Sequence, residues 1–187
     1  MRLYTFQGLE VASILYQQKV YEADWAKCCC FHEDQQQFNP MYEFMRDQYN
    51  RIKGVSHEGP PIFWYTSLKE VITYLRQSEN LHNRDVLLQA EVPKQDYLLY
   101  DSDAWNQILY DAGLGAPFYT YPPDKWTHAQ DARADSWYDL YKKNTLARLE
   151  SYKEIFNVPK SRRRDVHAIT SCIKESWLKT ITPAEII

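Results

Sequence analysis

The end of the first apolar run, LYTFQ, carries two polar side chains that could bind a ligand. Thr5 and Gln7 lie two positions apart, so a strand would direct both to the same side. A glutamine amide in that place can hydrogen-bond a ligand amide or a ribose hydroxyl. Alternatively, Gln7 lies at the surface or stabilises the turn at Gly8.

A second group of polar and aromatic side chains follows the run IFW. A strand would direct Tyr65 and Ser67 to one side, and Trp64 and Thr66 to the other. A tyrosine ring can stack on a flat ligand ring, and the two hydroxyl groups can bind a sugar or a phosphate. Alternatively, Tyr65 belongs to the core and Ser67 only caps the next helix.

Two further candidates lie alone in strand-like runs. His167, near the start of DVHAITSCI, could act as an acid, a base or a hydrogen-bond donor. Glu91, in LLQAEV, could orient a ribose hydroxyl or stabilise an oxocarbenium-like centre. The alternatives are a histidine with a structural role and a glutamate that faces water.

A basic tract, KSRRR, precedes the run that contains His167. Arg162, Arg163 and Arg164 could receive the phosphates of a dinucleotide or of RNA. The alternative is a solvated surface loop. No P-loop, GxGxxG, HExxH or GxSxG motif accompanies these residues.

Periodicity and cap residues predict the elements that position these side chains. Ser67 and Glu70 form a predicted capping box, which starts a helix directly after the second strand. The predicted strands are 3–7, 62–66, 86–92, 97–100, 165–173 and 177–181, and the predicted helices are 9–18, 39–53, 67–75, one from Asp101 or Asp103, and 135–156. Residues 20–37 are predicted to be irregular, and residues 93–96 to form a hairpin or a short connection. We expect the early and late strands to share a sheet, which makes residues 1–187 one α+β domain with a mixed sheet core and flanking helices.

Composition narrows the classes of function. The 22 basic and 25 acidic residues give a net charge of −3, which provides no general attraction to nucleic acid or to an anionic membrane. No apolar run is long enough to span a membrane, and the first residues do not resemble a secretion signal. Three of the four cysteines are consecutive, which indicates thiols in a reducing compartment, the cytoplasm. No second ligand pair accompanies Cys28, Cys30 and His32, so no metal site is predicted.

Several runs of the sequence resemble a bacterial and phage family of domains of unknown function. They are MRLYTFQ, VYEADW, NPMYEFMRDQYNRI, PPIFWYTS, VLLQAEVPKQDYLLYDSDAWNQIL and VHAITSCIKESWLKTI. The layout is also remotely similar to the ADP-ribosyltransferase fold. In that fold an opening strand contributes a polar ligand-binding residue, and a second strand-to-helix junction carries Tyr or Ser. A late strand carries a catalytic Glu.

By this resemblance, Thr5 or Gln7 matches the first element, and Tyr65-Thr66-Ser67 matches the second. His167 stands where the late strand of that fold has a Gln, and Ile169 where it has the Glu. The first element also lacks the usual Arg or His. The chain therefore departs from the pattern at the residue that would carry catalysis.

The resemblance implies an NAD-dependent ADP-ribosyltransferase-like enzyme of the kind used as a toxin or in phage defence, with NAD as co-substrate. Its acceptor would be a protein or a nucleic acid. Tyr65 would stack on nicotinamide, Gln7 and Ser67 would hold the ribose, and residues 162–164 would meet the pyrophosphate. Since the late Glu is missing, a non-catalytic nucleotide-sensing or protein-binding module of the same fold is the second expectation. An RNA-binding protein that uses the basic tract is the third.

Overall fold

The computed structural model describes residues 1–27, 39–77, 85–106, 109, 155–156, 158 and 166–183. Within these ranges the strands and helices are β1 (Arg2–Gly8), α1 (Leu9–Gln18), β2 (Val20–Glu22), α2 (Asn39–Lys53), β3 (Ile62–Tyr65), α3 (Leu68–Gln77), β4 (Asp85–Glu91), β5 (Leu98–Asp101), β6 (Val166–Thr170), β7 (Cys172–Lys174) and β8 (Leu178–Pro183). Residues 102–106, directly after β5, are helical.

The main sheet has six strands in the order β5-β6-β3-β1-β4-β8, and β2 pairs with β7 in a separate two-stranded sheet. The expected α+β class is confirmed, and the early strand β1 shares a sheet with the late strands β6 and β8. Every strand pair in the described part of the chain is antiparallel, so the expected mixed sheet is corrected to an antiparallel one.

Helices cover both faces of the main sheet near β1. Leu3 of β1 packs with Val11 and Leu15 of α1 in one apolar cluster. The next residue, Tyr4, packs with Val71 of α3 in another cluster, because successive side chains of a strand point to opposite faces. We call these two sides of the sheet the α1 face and the α3 face.

Helix α2 lies on the α3 face as well, over β5 and β6. Met41 and Met45 of α2 are fully buried against Ile169 of β6 and Tyr100 of β5. Helices α2 and α3 therefore cover different strands of one face, and β3 and β6 run under the region between them.

The predicted strand 165–173 is in fact two strands that belong to different sheets. β6 ends at Thr170, whose hydroxyl donates to the carbonyl oxygen of Cys172 at 2.8 Å. This bond closes a tight turn at Ser171, after which β7 pairs with β2. Strand β2 lies in the segment that was predicted to be irregular.

The predicted connection at residues 93–96 joins β4 to β5 without forming a hairpin. β4 pairs with β1 and β8, whereas β5 pairs with β6 at the opposite edge of the sheet. The predicted helix 135–156 falls outside the described residues except for positions 155 and 156, and the cysteines at 28–30 and His32 also fall outside them.

Cys172 is a buried free thiol, as expected of the cysteines, and burial raises its pKa. Among the described residues, no helix combines the length and the apolar character that crossing a membrane requires.

The buried indole of Trp64 depends on one acceptor in β6. Its Nε1–H donates to the hydroxyl oxygen of Thr170 at 2.8 Å, and both residues are at most 1% exposed. We expect Thr170→Val to lower the free energy of unfolding by about 1–3 kcal/mol, because the indole N–H then lacks an acceptor. Urea denaturation measures the change. The same substitution at Thr180, an exposed residue of β8, is the control and should change stability by less than about 0.5 kcal/mol.

Candidate functional site

Strand register places four aromatic side chains in one line across the α3 face. Tyr100 of β5 is opposite His167 of β6, His167 is opposite Tyr65 of β3, and Tyr65 is opposite Tyr4 of β1. Residues directly opposite each other in antiparallel strands have their side chains on the same face. We call Tyr100, His167, Tyr65 and Tyr4 the aromatic row.

A carboxylate from α3 meets the aromatic row at His167. Glu70 Oε1 lies 2.6 Å from His167 Nε2, although the two residues are 97 positions apart in the sequence. The Glu70 side chain is 34% exposed and that of His167 is 16% exposed. The pair therefore has one end that solvent or a ligand can reach and one end inside the fold.

The strand-to-helix junction explains why Glu70 reaches His167. Ser67 is the cap of α3, and its hydroxyl accepts a long hydrogen bond of 3.5 Å from the Glu70 amide. Thr66 donates to the carbonyl oxygen of Val166 at 2.6 Å, which ties the junction to the residue before His167. Of the predicted capping box, the described hydrogen bonds contain only this half, and the Glu70 carboxylate binds His167 instead.

Glu70 is the site residue that sequence reasoning missed, because it was assigned entirely to helix capping. Its position in the first turn after a strand that ends in Tyr65 was the available signal. That signal became specific only with a partner on β6, and the pairing of β3 with β6 is not visible in one sequence.

The other nitrogen of His167 faces the core. Tyr100 Oη lies 3.4 Å from His167 Nδ1, and Tyr100 is 2% exposed. Burial raises the pKa of Tyr100, with smaller contributions from Tyr65, Tyr42 and Glu70, so its hydroxyl keeps its proton at neutral pH. Tyr100, His167 and Glu70 thus form a continuous chain of polar groups from the core to the surface.

The rings of Tyr65 and Tyr74, which we call the aromatic wall, lie beside these polar groups. The Tyr65 ring centroid lies 4.6 Å from that of His167 and 6.0 Å from that of Tyr74, which is 53% exposed. Burial raises the pKa of Tyr65 to about 12, with Tyr74 and Glu70 adding to the effect. Two phenol rings beside a carboxylate make a surface suited to a flat, positively charged group.

Thr5 and Gln7 do not join this site. Thr5 is opposite Leu88, which belongs to the α1-face cluster, and is 3% exposed. The Gln7 side-chain amide donates to the Thr5 hydroxyl at 3.0 Å. β1 and β3 are neighbours in one sheet, but Tyr4 rather than Thr5 is opposite Tyr65, so the two predicted groups lie on opposite faces.

Glu91 and the three arginines 162–164 are the remaining predicted site residues. Glu91 is half exposed and forms ion pairs of 3.6 Å with Arg2 and with Lys179, as the water-facing alternative predicts. Arg162, Arg163 and Arg164 lie outside the described residues. Within the described ranges, no three His, Cys, Asp or Glu side chains are grouped closely enough to hold a metal ion.

The raised pKa of Tyr65 makes stability depend on alkaline pH. The unfolded chain loses this proton near pH 10.0 and the folded protein near pH 12, so the contribution is fully present below pH 10.0 and is lost as pH rises toward 12. We expect wild type to lose about 1–2 kcal/mol more than Tyr65→Phe over this range, after allowance for solvent screening. Urea denaturation at stepped pH measures the loss. Tyr16→Phe, which removes the hydroxyl of a 78% exposed tyrosine on α1, should follow wild type.

No protein-family model, no curated protein and no solved structure matches this chain. The resemblance described from the sequence runs therefore stays a prediction.

Proposed function

We propose that this protein is an NAD-using enzyme of the ADP-ribosyltransferase-like type, with Glu70 as its carboxylate. The observation that carries the proposal is the contact of Glu70 with His167, beside the rings of Tyr65 and Tyr74. It joins a carboxylate, an imidazole and an aromatic wall at the junction where the sequence resemblance expects the ligand.

The arrangement of strands supports the proposal. The resemblance compares an opening strand, a strand that ends in Tyr-Thr-Ser, and a late strand. Their counterparts β1, β3 and β6 are consecutive neighbours in the main sheet. Side chains from the second and third of these strands meet directly, since Tyr65 is opposite His167.

The carboxylate comes from a different element than the resemblance implies. Ile169, at the position of the expected late-strand Glu, is fully buried and packs beneath α2. His167 lies two residues before Ile169 on the same face of β6. Glu70 of α3 contacts His167. The departure seen in the sequence is therefore offset by a carboxylate from α3.

The residues present fit the nicotinamide-ribose half of NAD. Oxidised nicotinamide is a flat cationic ring, which the faces of Tyr65 and Tyr74 and the charge of Glu70 favour together. When bound, NAD supplies a glycosidic bond whose cleavage leaves positive charge on the ribose. Glu70 would stabilise that charge and accept a hydrogen bond from a ribose hydroxyl, while nicotinamide leaves and water or an acceptor group forms the new bond to the ribosyl carbon. His167 would hold the carboxylate in place. The basic tract that would meet the pyrophosphate lies outside the described residues.

A non-catalytic nucleotide-binding module is the second candidate. Thr5 and Gln7 bind each other on the α1 face, so the polar residue expected from the opening strand does not support catalysis. Both nitrogens of His167 also have partners within the fold. Such a module would bind NAD or a related nucleotide without consuming it.

Replacing Glu70 separates the two candidates. We expect purified wild type to release nicotinamide from NAD, and Glu70→Gln to lower kcat on the order of a hundredfold, because the amide cannot carry the stabilising charge. Chromatography of the released nicotinamide measures this. The control is Glu91→Gln, which removes an exposed carboxylate with its own ion pairs and should leave kcat unchanged. Binding without turnover would favour the module, and neither binding nor turnover would exclude both candidates.

The aromatic wall is tested by binding alone. We expect Tyr65→Ala to weaken NAD binding by about tenfold, since stacking of a flat ring on an aromatic side chain contributes about 1–3 kcal/mol. Isothermal titration calorimetry gives the dissociation constants. The matched control is Tyr16→Ala on α1, which removes a 78% exposed tyrosine on the other side of the sheet. Equal losses of affinity in the two variants would contradict stacking at Tyr65.

A further inference from the structure

Tyr100 is at the buried end of the polar chain and packs in the core, whereas Glu70 is at the partly exposed end. The Tyr100 ring packs edge-on against Phe63 at 5.9 Å and belongs to the cluster beneath α2. Its hydroxyl lies 3.4 Å from His167 Nδ1. At the exposed end, Glu70 is the member of the chain that a ligand can reach.

Each partner of His167 determines whether the ring nitrogen that it contacts carries a proton. An ionised carboxylate only accepts hydrogen bonds, so Glu70 requires the proton of a neutral imidazole to be on Nε2. The Tyr100 hydroxyl needs an acceptor in the core, and in the described structure Nδ1 is in place to accept. Both demands are met by a single tautomer, with the proton on Nε2 and the lone pair on Nδ1.

We propose that Tyr100 is a positioning residue, which keeps His167 in the Nε2–H tautomer and so keeps a hydrogen-bond donor directed at Glu70. The effect on turnover rests on the proposed function, whereas the effect on the tautomer does not. Tyr100 does not touch a ligand in this scheme, since it is 2% exposed and acts through the imidazole.

Tyr100 matters because a ligand competes with His167 for the Glu70 carboxylate. When Glu70 also accepts a hydrogen bond from a ligand hydroxyl, its carboxylate selects the tautomer less strongly. Tyr100 keeps its hydroxyl proton throughout, because burial raises its pKa, and it continues to donate to Nδ1. His167 therefore keeps a donor directed at Glu70 while the ligand is bound.

The tautomer is measured directly by ¹⁵N NMR of the imidazole in the ligand-free protein. In wild type we expect a protonated Nε2 and an unprotonated Nδ1. In the ligand-free protein the Glu70 carboxylate selects the same tautomer, so the role of Tyr100 is tested in the Glu70→Ala background. There we expect Tyr100→Phe to move the two signals toward each other as the second tautomer is populated. Tyr49→Phe is the matched control. It removes another buried hydroxyl from the same cluster, one that donates to the Asp96 carbonyl oxygen at 2.9 Å, and should leave the His167 signals unchanged.

Two NMR results would overturn the inference: a proton on Nδ1 in wild type, or the same pattern in Glu70→Ala with and without Tyr100→Phe. The control also separates the role of Tyr100 from a general loosening of the cluster. If Tyr49→Phe shifts the His167 signals as much as Tyr100→Phe does, the positioning role is excluded.

Kinetics test the consequence for turnover. We expect Tyr100→Phe to lower kcat for nicotinamide release by about tenfold with KM unchanged, as for loss of a group that orients another. The same substitution in the Glu70→Gln background should have no further effect, because the donor then has no carboxylate to orient. Additive losses in the double variant would exclude action through Glu70. If wild type does not turn over NAD at all, the proposed function fails, and the NMR result alone decides the role of Tyr100.

Discussion

The antiparallel register between β3 and β6 is the constraint on which the site depends. Tyr65 is opposite His167 in this register, and Phe63 is opposite Ile169, so a shift by one residue would move His167 to the other face of the sheet. One buried and one partly buried hydrogen bond resist that shift. The Trp64 indole donates to the Thr170 hydroxyl, and the Thr66 hydroxyl donates to the Val166 carbonyl oxygen. Core packing and site geometry are therefore determined by the same strand pair.

Much of the local structure was predictable from the sequence, because it depends on near neighbours. The opening strand, the helix after Gly8 and the helix capped by Ser67 follow from apolar spacing and cap residues. Tyr65 and His167 were both recognised as candidates from residue type and strand position. One sequence does not contain the register in which two strands pair. The register places Tyr4 opposite Tyr65 and leaves Thr5 on the α1 face, whereas Thr5 was predicted to lie beside Tyr65.

Glu70 shows a second limit of local reasoning. A glutamate three residues after a serine satisfies a helix-capping pattern, and that pattern accounts for the helix without any further partner. In the structure the Glu70 carboxylate also has a long-range partner, because it lies 2.6 Å from the imidazole of His167. The imidazole is in turn joined to a buried hydroxyl at 3.4 Å. The accessible carboxylate is thus supported by two groups that solvent barely reaches.

A single residue, Ser171, separates the strand that carries His167 from the strand that pairs with β2. The two sheets are therefore not independent layers, because they share one continuous segment with a tight turn inside it. Local opening of the small sheet would pull on the last residue of β6, and strain in β6 would reach the small sheet by the same route. The surface formed by β2 and β7 is thereby one residue along the backbone from the strand that carries the imidazole.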